Sequence, residues 1–325
     1  MYKRQVLQGD TLWIGSLNGL YTYQLKSRQL NHFDSKQTGL PHNTIYSIIH
    51  TKDNQIYIGT YNGLCRYVQA SEKFENILLP VNRGGSNLFV NSLLEDTTRQ
   101  CIWIGMEGYL FQYNPTIGEM KAIEVFHNNS IKSLALDGDE NLLAGTDNGL
   151  YVYQNDKEPL QHIIHDSRNI QSLTNNIIWN IFSDQEHNIW LGTDYGISLS
   201  RYNSALQFVP ISQITGTGDG NQFYSLFRDS KGFYWFGGTN GVIRFTHPAG
   251  NKHDAIWYRM GDKNHPLSHN RIRHIYEDRE QQLWIATDGS INRYDYNTHQ
   301  FVHYNIVDST GTCLLYTSPS PRDCS

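Results

Sequence analysis

Apolar and polar residues along this chain alternate in short runs that return at a regular distance. Leu12-Trp-Ile-Gly-Ser-Leu-Asn-Gly-Leu-Tyr21 and Ile56-Tyr-Ile-Gly-Thr-Tyr-Asn-Gly-Leu-Cys65 are two copies of one motif. It returns at Ile102-Trp-Ile-Gly105, Leu142-Leu-Ala-Gly145, Ile189-Trp-Leu-Gly192, Tyr234-Trp-Phe-Gly237 and Leu283-Trp-Ile-Ala286. The last residues of these runs lie at 15, 59, 105, 145, 192, 237 and 286. Spacings of 40 to 49 residues match the blade length of a propeller.

Each unit parses into four strands, A to D. Strand A reads Asn-x-Φ-x-x-Φ-x-x-Asp with Φ apolar, as in Asn176, Ile178, Ile181 and Asp184. Asn270, Ile272, Ile275 and Asp278 repeat it, and so do Asn221, Phe223, Leu226 and Asp229. Apolar residues three apart in a regular strand point to opposite faces, so both faces of strand A are expected to be buried. A turn such as Asp229–Gly232 leads into strand B, the Trp-Ile-Gly run. Asn18-Gly19, Asn62-Gly63, Asn148-Gly149 and Asn240-Gly241 then predict type I′ hairpins into strand C. Asp288-Gly289 and Glu107-Gly108 take the same role, with one residue fewer before the turn in the third and seventh units. Strand D is the stretch typified by Gln300–Tyr304. The fold class is therefore all-β, a β-propeller of seven blades with four antiparallel strands each. The first motif begins at strand B, so the first blade is expected to lack its innermost strand and to be the weakest.

The two ends stand apart. Cys313–Asp323 resembles a translated sequencing adapter, and Met1–Gln5 resembles the same adapter read from the other strand. Such scars are set aside in fold reasoning, which leaves 6–312 as the propeller and 1–5 and 313–325 as adapter-derived. Cys65 and Cys101 then remain, two buried thiols without disulfide or zinc spacing. With 38% hydrophobic residues, 13% aromatic and a formal charge of −5, the chain reads as globular β-structure. No basic run suits nucleic acid, and no apolar run approaches the roughly 20 residues of a membrane helix.

The Asn-x-Ile-x-x-Ile-x-x-Asp run, the Leu-Trp-Ile-Gly-Thr strand and the Asn-Gly-Leu turn resemble two-component regulator propeller repeats. Asn221–Phe245 and Asn270–Tyr294 carry the pattern most fully. The resemblance implies a periplasmic sensor region of a bacterial hybrid two-component system, with a second propeller and a small all-β domain in the same parent chain. A histidine kinase would lie further along, and a homodimer of the parent is conceivable. Sensors of this kind often respond to oligosaccharides. Leu142-Leu-Ala without Trp, and Ala286 for Gly, depart from the pattern.

Chemistry is sought where the repeats differ. Trp13, Trp103, Trp190, Trp235 and Trp284 recur in register and read as core between blades rather than as sugar platforms. His162 and His165 have ligand-like spacing but no carboxylate or cysteine companions, so neither a metal nor any cofactor is expected. Asp229–Gly232 reads as a turn. In strand A the slot after the first apolar residue varies: Tyr46, Asn91, Lys132, Trp179, Tyr224 and Arg273. Together with Arg168 these are the candidate ligand-binding residues. The loops Pro80–Ser86, His165–Asn175, Ser212–Gly220 and Met260–His269 are expected to shape the channel entrance. The expected function is ligand sensing, with an oligosaccharide or other small extracellular ligand as partner. One rival is a propeller lyase or glycosidase using Tyr224, Arg273 and His274, disfavoured by the lack of a paired-carboxylate set. The other is a protein-interaction scaffold.

Overall fold

The computed structural model describes residues 5–81, 88–123, 129–154, 161–202, 208–210, 222–246, 255–264, 266–278 and 280–304, with 208–210 described as backbone only. These form 28 strands in seven four-stranded antiparallel sheets, each sheet made of four consecutive strands. The result is a seven-bladed propeller. The strands A are Gln5–Gln8, Ile45–His50, Val90–Asp96, Ile131–Leu136, Ile178–Ser183, Phe223–Arg228 and Ile272–Glu277.

The first blade departs from expectation. It has its strand A: Gln5–Gln8 pairs with Thr11–Gly15, from Gln5 opposite Ile14 to Gln8 opposite Thr11. A two-residue turn at Gly9 and Asp10 makes this pairing possible, with φ of 60° at Gly9. The longer Asp-headed turn of the other blades is missing, and with it the motif that signals strand A. Gln5 stands where blades two to seven have Ile48, Leu93, Leu134, Ile181, Leu226 and Ile275. Its Nε2 is buried without a hydrogen-bond partner among the described residues.

Seven apolar clusters hold the ring, each between two successive blades. Trp13 and Leu20 of blade one meet Ile45, Ile48 and Ile58 of blade two. Trp190 and Leu199 of blade five meet Phe223, Leu226 and Phe236 of blade six. The closing cluster joins Ile14 and Tyr21 of blade one to Ile291 of blade seven, with Trp284 half-buried beside them. Among the described residues, closure therefore rests on the cluster with the fewest buried apolar side chains.

The repeat's glycine sets how closely blades approach. A Cβ on Gly15 would lie 2.5 Å from Ile45 of the next blade, and one on Gly237 would lie 2.4 Å from Ile272. Gly105 against Ile131 (2.6 Å) and Gly145 against Ile178 (2.7 Å) repeat the contact. Real side chains never come so close, so the following strand A packs directly on glycine backbone.

The three-residue apolar spacing of strand A has a different cause from the one expected. In blades two to seven the register slips by one residue near the start of the strand. Ile45 pairs with Thr60 and Ser47 with Gly59, which leaves Tyr46 as the extra residue of a β-bulge. Asn91, Lys132, Trp179, Tyr224 and Arg273 are skipped in the same way. The extra residue turns a spacing of three into an effective spacing of two, so both apolar residues face the preceding blade. Gly15 accordingly neighbours both Ile45 and Ile48, and Gly105 both Ile131 and Leu134. The opposite face carries serine. Ser92 Oγ accepts the Leu134 amide at 3.2 Å, Ser133 Oγ that of Ile181 at 3.1 Å, and Ser225 Oγ that of Ile275 at 2.9 Å.

The motif aspartate organises the outer turn. Asp184 Oδ1 accepts the amides of Glu186 and Asn188, both at 2.9 Å, while Oδ2 accepts the Trp190 indole N–H at 2.8 Å. Asp229 with Trp235 (2.7 Å), Asp278 with Trp284 (2.7 Å) and Asp96 with Trp103 (3.0 Å) repeat the indole bond. In blade one Gln8 replaces the carboxylate, accepting from Trp13 at 3.1 Å. Neighbouring blades add hydroxyls: Tyr234 donates to Asp184 at 3.0 Å, and Tyr296 to Asp229 at 2.7 Å. Trp103, Trp190 and Trp235 are fully buried, as the reading of these rings as core requires.

The hairpins are not type I′. Gly19, Gly63, Gly149 and Gly241 have positive φ, but the asparagines before them do not. Thr60 pairs with Gly63, so Tyr61 and Asn62 are the central residues and the glycine follows the turn, as in a type I turn closed by a glycine bulge. Thr60 Oγ1 donates to Gly63 O at 2.9 Å and accepts the Asn62 amide at 3.1 Å. Thr146, Thr193 and Thr287 donate in the same way, each at 2.9 Å. The signal for this hairpin was therefore the threonine as much as the glycine. In blade seven Ser290 follows the turn in glycine's place, so no residue is missing there.

Two outcomes are expected. Trp190→Ala lowers unfolding free energy by about 3–5 kcal/mol in denaturant titration, as for other buried aromatic truncations. Burial opposes ionisation of Asp96, but hydrogen bonds from Trp103 and from the Arg99 amide and guanidinium outweigh it and hold its pKa below the usual carboxylate range. A depressed folded pKa contributes stability above the unfolded value, and that stability is lost as pH falls through the folded one. Asp96→Asn should cost ~1–3 kcal/mol at neutral pH and flatten the acid limb of the stability profile.

Candidate functional site at the channel mouth

The motif asparagine determines what surrounds the mouth. Its carbonyl accepts the amide of the preceding blade's hairpin glycine: Gly19 to Asn43 at 2.8 Å, Gly149 to Asn176 at 2.7 Å, Gly241 to Asn270 at 2.7 Å. Its side-chain oxygen accepts an amide from the incoming loop: Ser35 to Asn43 at 2.7 Å, His165 to Asn176 at 2.6 Å, Met260 to Asn270 at 2.7 Å. Hairpins, loop ends and strand-A starts are thereby gathered at one end of the ring. The bulge residues lie at that end, each beside the first residue of its own blade's hairpin.

On one side of the mouth the bulge residues join in a network. Trp179 donates its indole N–H to Asp194 Oδ1 at 2.9 Å, and Gln222 Nε2 donates to the same oxygen at 2.7 Å. Tyr224 in turn donates its hydroxyl to Gln222 Oε1. The Trp179 and Tyr224 rings meet edge to face at 5.6 Å. Lys132 Nζ lies 4.9 Å from the Trp179 ring centre, and the Arg271 guanidinium 6.0 Å from that of Tyr224. Blades four to seven thus each contribute to one polar and aromatic surface.

Blades two and three contribute a second aromatic group. Tyr61 meets Phe89 edge to face at 4.5 Å and His42 at 4.8 Å, and Tyr46 lies 6.1 Å from Phe89. All four rings are half-buried. Asn91 is buried, and its Nδ2 donates to Ile131 O at 3.1 Å, so it ties blade three to blade four rather than facing a ligand. Arg273 is bound to Asp288 through Nε and through Nη2, the latter at 3.0 Å to Oδ2. Arg168 lies apart on the loop after strand D of blade four, its side chain 90% exposed and 3.3 Å from Asp166.

Sequence reasoning missed the hairpin partners Tyr61, Asp194 and Asp288, together with Phe89 and Gln222. The signal shared by Tyr61, Asp194 and Asp288 is the position two residues after the end of the Trp-Ile-Gly motif, occupied by Leu17, Tyr61, Glu107, Asp147, Asp194, Thr239 and Asp288. This is a second variable slot in step with the first. His162 and His165 are otherwise engaged: His162 lies 2.5 Å from Asn148 O and stacks on Tyr151, and His165 Nδ1 meets Leu173 O. Asp229–Gly232 is the turn it was read as. Cys65 and Cys101 are buried free thiols, and burial pushes the Cys65 thiol well up. Most of Pro80–Ser86 and all of Ser212–Gly220 lie outside the described residues.

A family model described as two component regulator propeller matches residues 39–62, 172–195, 217–240 and 266–289. Each match takes in a strand A, the strand B that follows and the two central residues of the next hairpin. Four of the seven blades of this chain carry two-component regulator propeller repeats. The extracellular domain of a B. thetaiotaomicron protein described as a hybrid two component system, BT4673, is 82% identical over 95% of this chain, with a TM-score of 0.61. A second structure of that extracellular domain, described there as part of a one component system, is 81% identical over 94% of the chain, with a TM-score of 0.60. The chain spans 42% of the length of either. A catalytically inactive virginiamycin B lyase of Staphylococcus aureus, with quinupristin, shares the fold at 12% identity and TM-score 0.62, covering 88% of this chain and 91% of its own. No curated protein sequence matches.

The loop anchored by Asn176 tests this construction of the mouth. Asn176→Ala should cost about 1 kcal/mol and speed hydrogen exchange across 165–175. Unchanged exchange would mean that the loop is held by its other bonds, such as Asp166 with Ser172 and Thr174 with Ser198.

Proposed function

We propose that this chain is a ligand-sensing propeller from the extracytoplasmic, periplasmic part of a hybrid two-component sensor, and that an oligosaccharide occupies its channel mouth. The observation that carries the first half is the 82% identity to the extracellular domain of BT4673 over nearly the whole chain. The second half is supported by the bulge. Six blades carry a variable residue in this slot, partly exposed at Tyr46, Lys132, Trp179 and Arg273, and bulges recur beside functional sites because they redirect a side chain. Trp179, Tyr46 and Tyr61, all half-buried, offer ring faces for the C–H side of a pyranose, with the buried Tyr224 ring supporting Trp179 from the side, and Asp194 and Gln222 offer groups that exchange hydrogen bonds with hydroxyls. Occupancy would be relayed through the second propeller and the all-β domain of the parent, or through a parent homodimer, to a kinase beyond.

The chain itself is proposed to bind without turnover. The carboxylates at the mouth that have described partners are engaged: Asp194 with Trp179 and Gln222, Asp288 with Arg273, and Asp147 with the Ser130 amide at 3.0 Å. Similarity to a lyase at 12% identity speaks of the fold alone.

Calorimetric titration with oligosaccharides from digested plant and host polysaccharides, followed by chromatography of the mixture, tests this reading. Saturable binding with intact ligand is expected. Trp179→Ala, checked for folding, should weaken it by about 1–3 kcal/mol, or roughly fivefold to 150-fold, as the loss of an aromatic platform does. Cleavage products would replace the sensor reading with the enzymatic one.

A further inference from the structure

We infer that the ligand taken at this mouth is an uncharged oligosaccharide, and that Asp288 and Asp194 are the residues that set this preference. The inference rests on the proposed sugar site and narrows its ligand class. In each blade from two to seven the bulge residue stands beside the first hairpin residue, giving Tyr46 with Tyr61, Asn91 with Glu107, Lys132 with Asp147, Trp179 with Asp194, Tyr224 with Thr239, and Arg273 with Asp288. The hairpin slot thus holds four carboxylates, against two cations in the bulge slot and a third at Arg271.

Arg273 is the residue best suited by type to an acidic sugar, because its fork matches a carboxylate in two parallel bonds. In this structure that geometry is already taken. Its Nε and Nη2 reach both oxygens of Asp288, whose side chain is 10% exposed, while Arg273 remains 39% exposed. A uronate approaching the guanidinium would also approach Asp288 and would be repelled by it. Lys132 is placed for a different purpose: its ammonium lies over the Trp179 ring, whose indole N–H is bound to Asp194. An acidic ligand stacked near Trp179 would meet that carboxylate together with the Lys132 ammonium, so Asp194 offsets the attraction the lysine supplies. Neutral hydroxyls face no such conflict, since carboxylates, amides and phenols all exchange hydrogen bonds with them. The aromatic groups at Tyr61–Phe89 and Trp179–Tyr224 lie in separate parts of the ring, blades two and three against five and six. A ligand touching both would span several sugar units.

The test uses the chain itself. Arabino-, galacto-, manno-, xylo- and gluco-oligosaccharides of four to six units are titrated beside oligogalacturonate and oligoalginate of the same lengths. A neutral series should bind at least about tenfold tighter than either acidic one. Asp288→Asn leaves Arg273 without its carboxylate and should shrink the neutral-to-acidic affinity ratio at least about fivefold, more so at low salt. Asp194→Asn, which keeps an acceptor for the Trp179 indole, should shift the ratio in the same direction and carries the test if Asp288→Asn does not fold. Tighter binding of an acidic series by the native chain would overturn the inference and leave the sensor reading standing. Binding of neither class would overturn both. An unchanged ratio in the folded variants would remove Asp288 and Asp194 from specificity.

Discussion

The structure depends on how closely consecutive blades approach at their inner strands. Strand-B glycines leave no room for a Cβ, so the apolar pair of the next strand A rests on bare backbone. That contact needs both apolar residues on one face. With three-residue spacing it is possible only because a bulge absorbs one residue. Glycine, apolar pair and bulge are therefore one device. Around it the aspartate holds the outer turn and the tryptophan of its own blade, and the asparagine fastens the incoming loop to the hairpin before it.

This device separates packing from recognition. Motif residues are consumed by the blades: the serines by the neighbouring strand, the aspartates by indoles and phenols, the asparagines by loop amides. Tyr296 illustrates the cost of being so used. Burial and the Asp229 carboxylate that accepts its hydroxyl push its pKa far up, which fits a locked structural phenol rather than an exchangeable one. The bulge residue escapes most of these duties. It can vary from tyrosine to lysine to tryptophan without disturbing the interface, and it lies where hairpin and loop ends gather. Asn91 and Tyr224 are the exceptions, both buried, the first drawn into the link between blades three and four and the second packed against Trp179.

Much of this was legible in the sequence, because the repeat states the same physics six or seven times. Blade number, strand order and the tryptophan core followed from spacing and from residue types that only a packed β-blade would place in register. The slot at Tyr46, Lys132, Trp179, Tyr224 and Arg273 was also visible as variation inside regularity, though not its cause: a bulge leaves no mark on spacing unless the facing strand is known. For the same reason Ile178 and Ile181 were expected on opposite faces. Strand Gln5–Gln8 was illegible because its turn, Gly9-Asp10, is only two residues long and Gln8 stands where the other blades have the motif aspartate. Asp194 and Asp288 were passed over because the hairpin was read by its glycine. Their role arises only when Trp179 and Arg273 are brought beside them.

The central claim is that the packing residues of this propeller leave one end of the ring free for recognition. A crystal structure of the chain with a bound oligosaccharide tests it most directly. Density for the ligand should lie at the mouth, against Trp179 and within reach of Tyr61 or Phe89, with Arg273 still paired to Asp288. Density at the opposite end of the ring, or along the outer strands, would contradict the account.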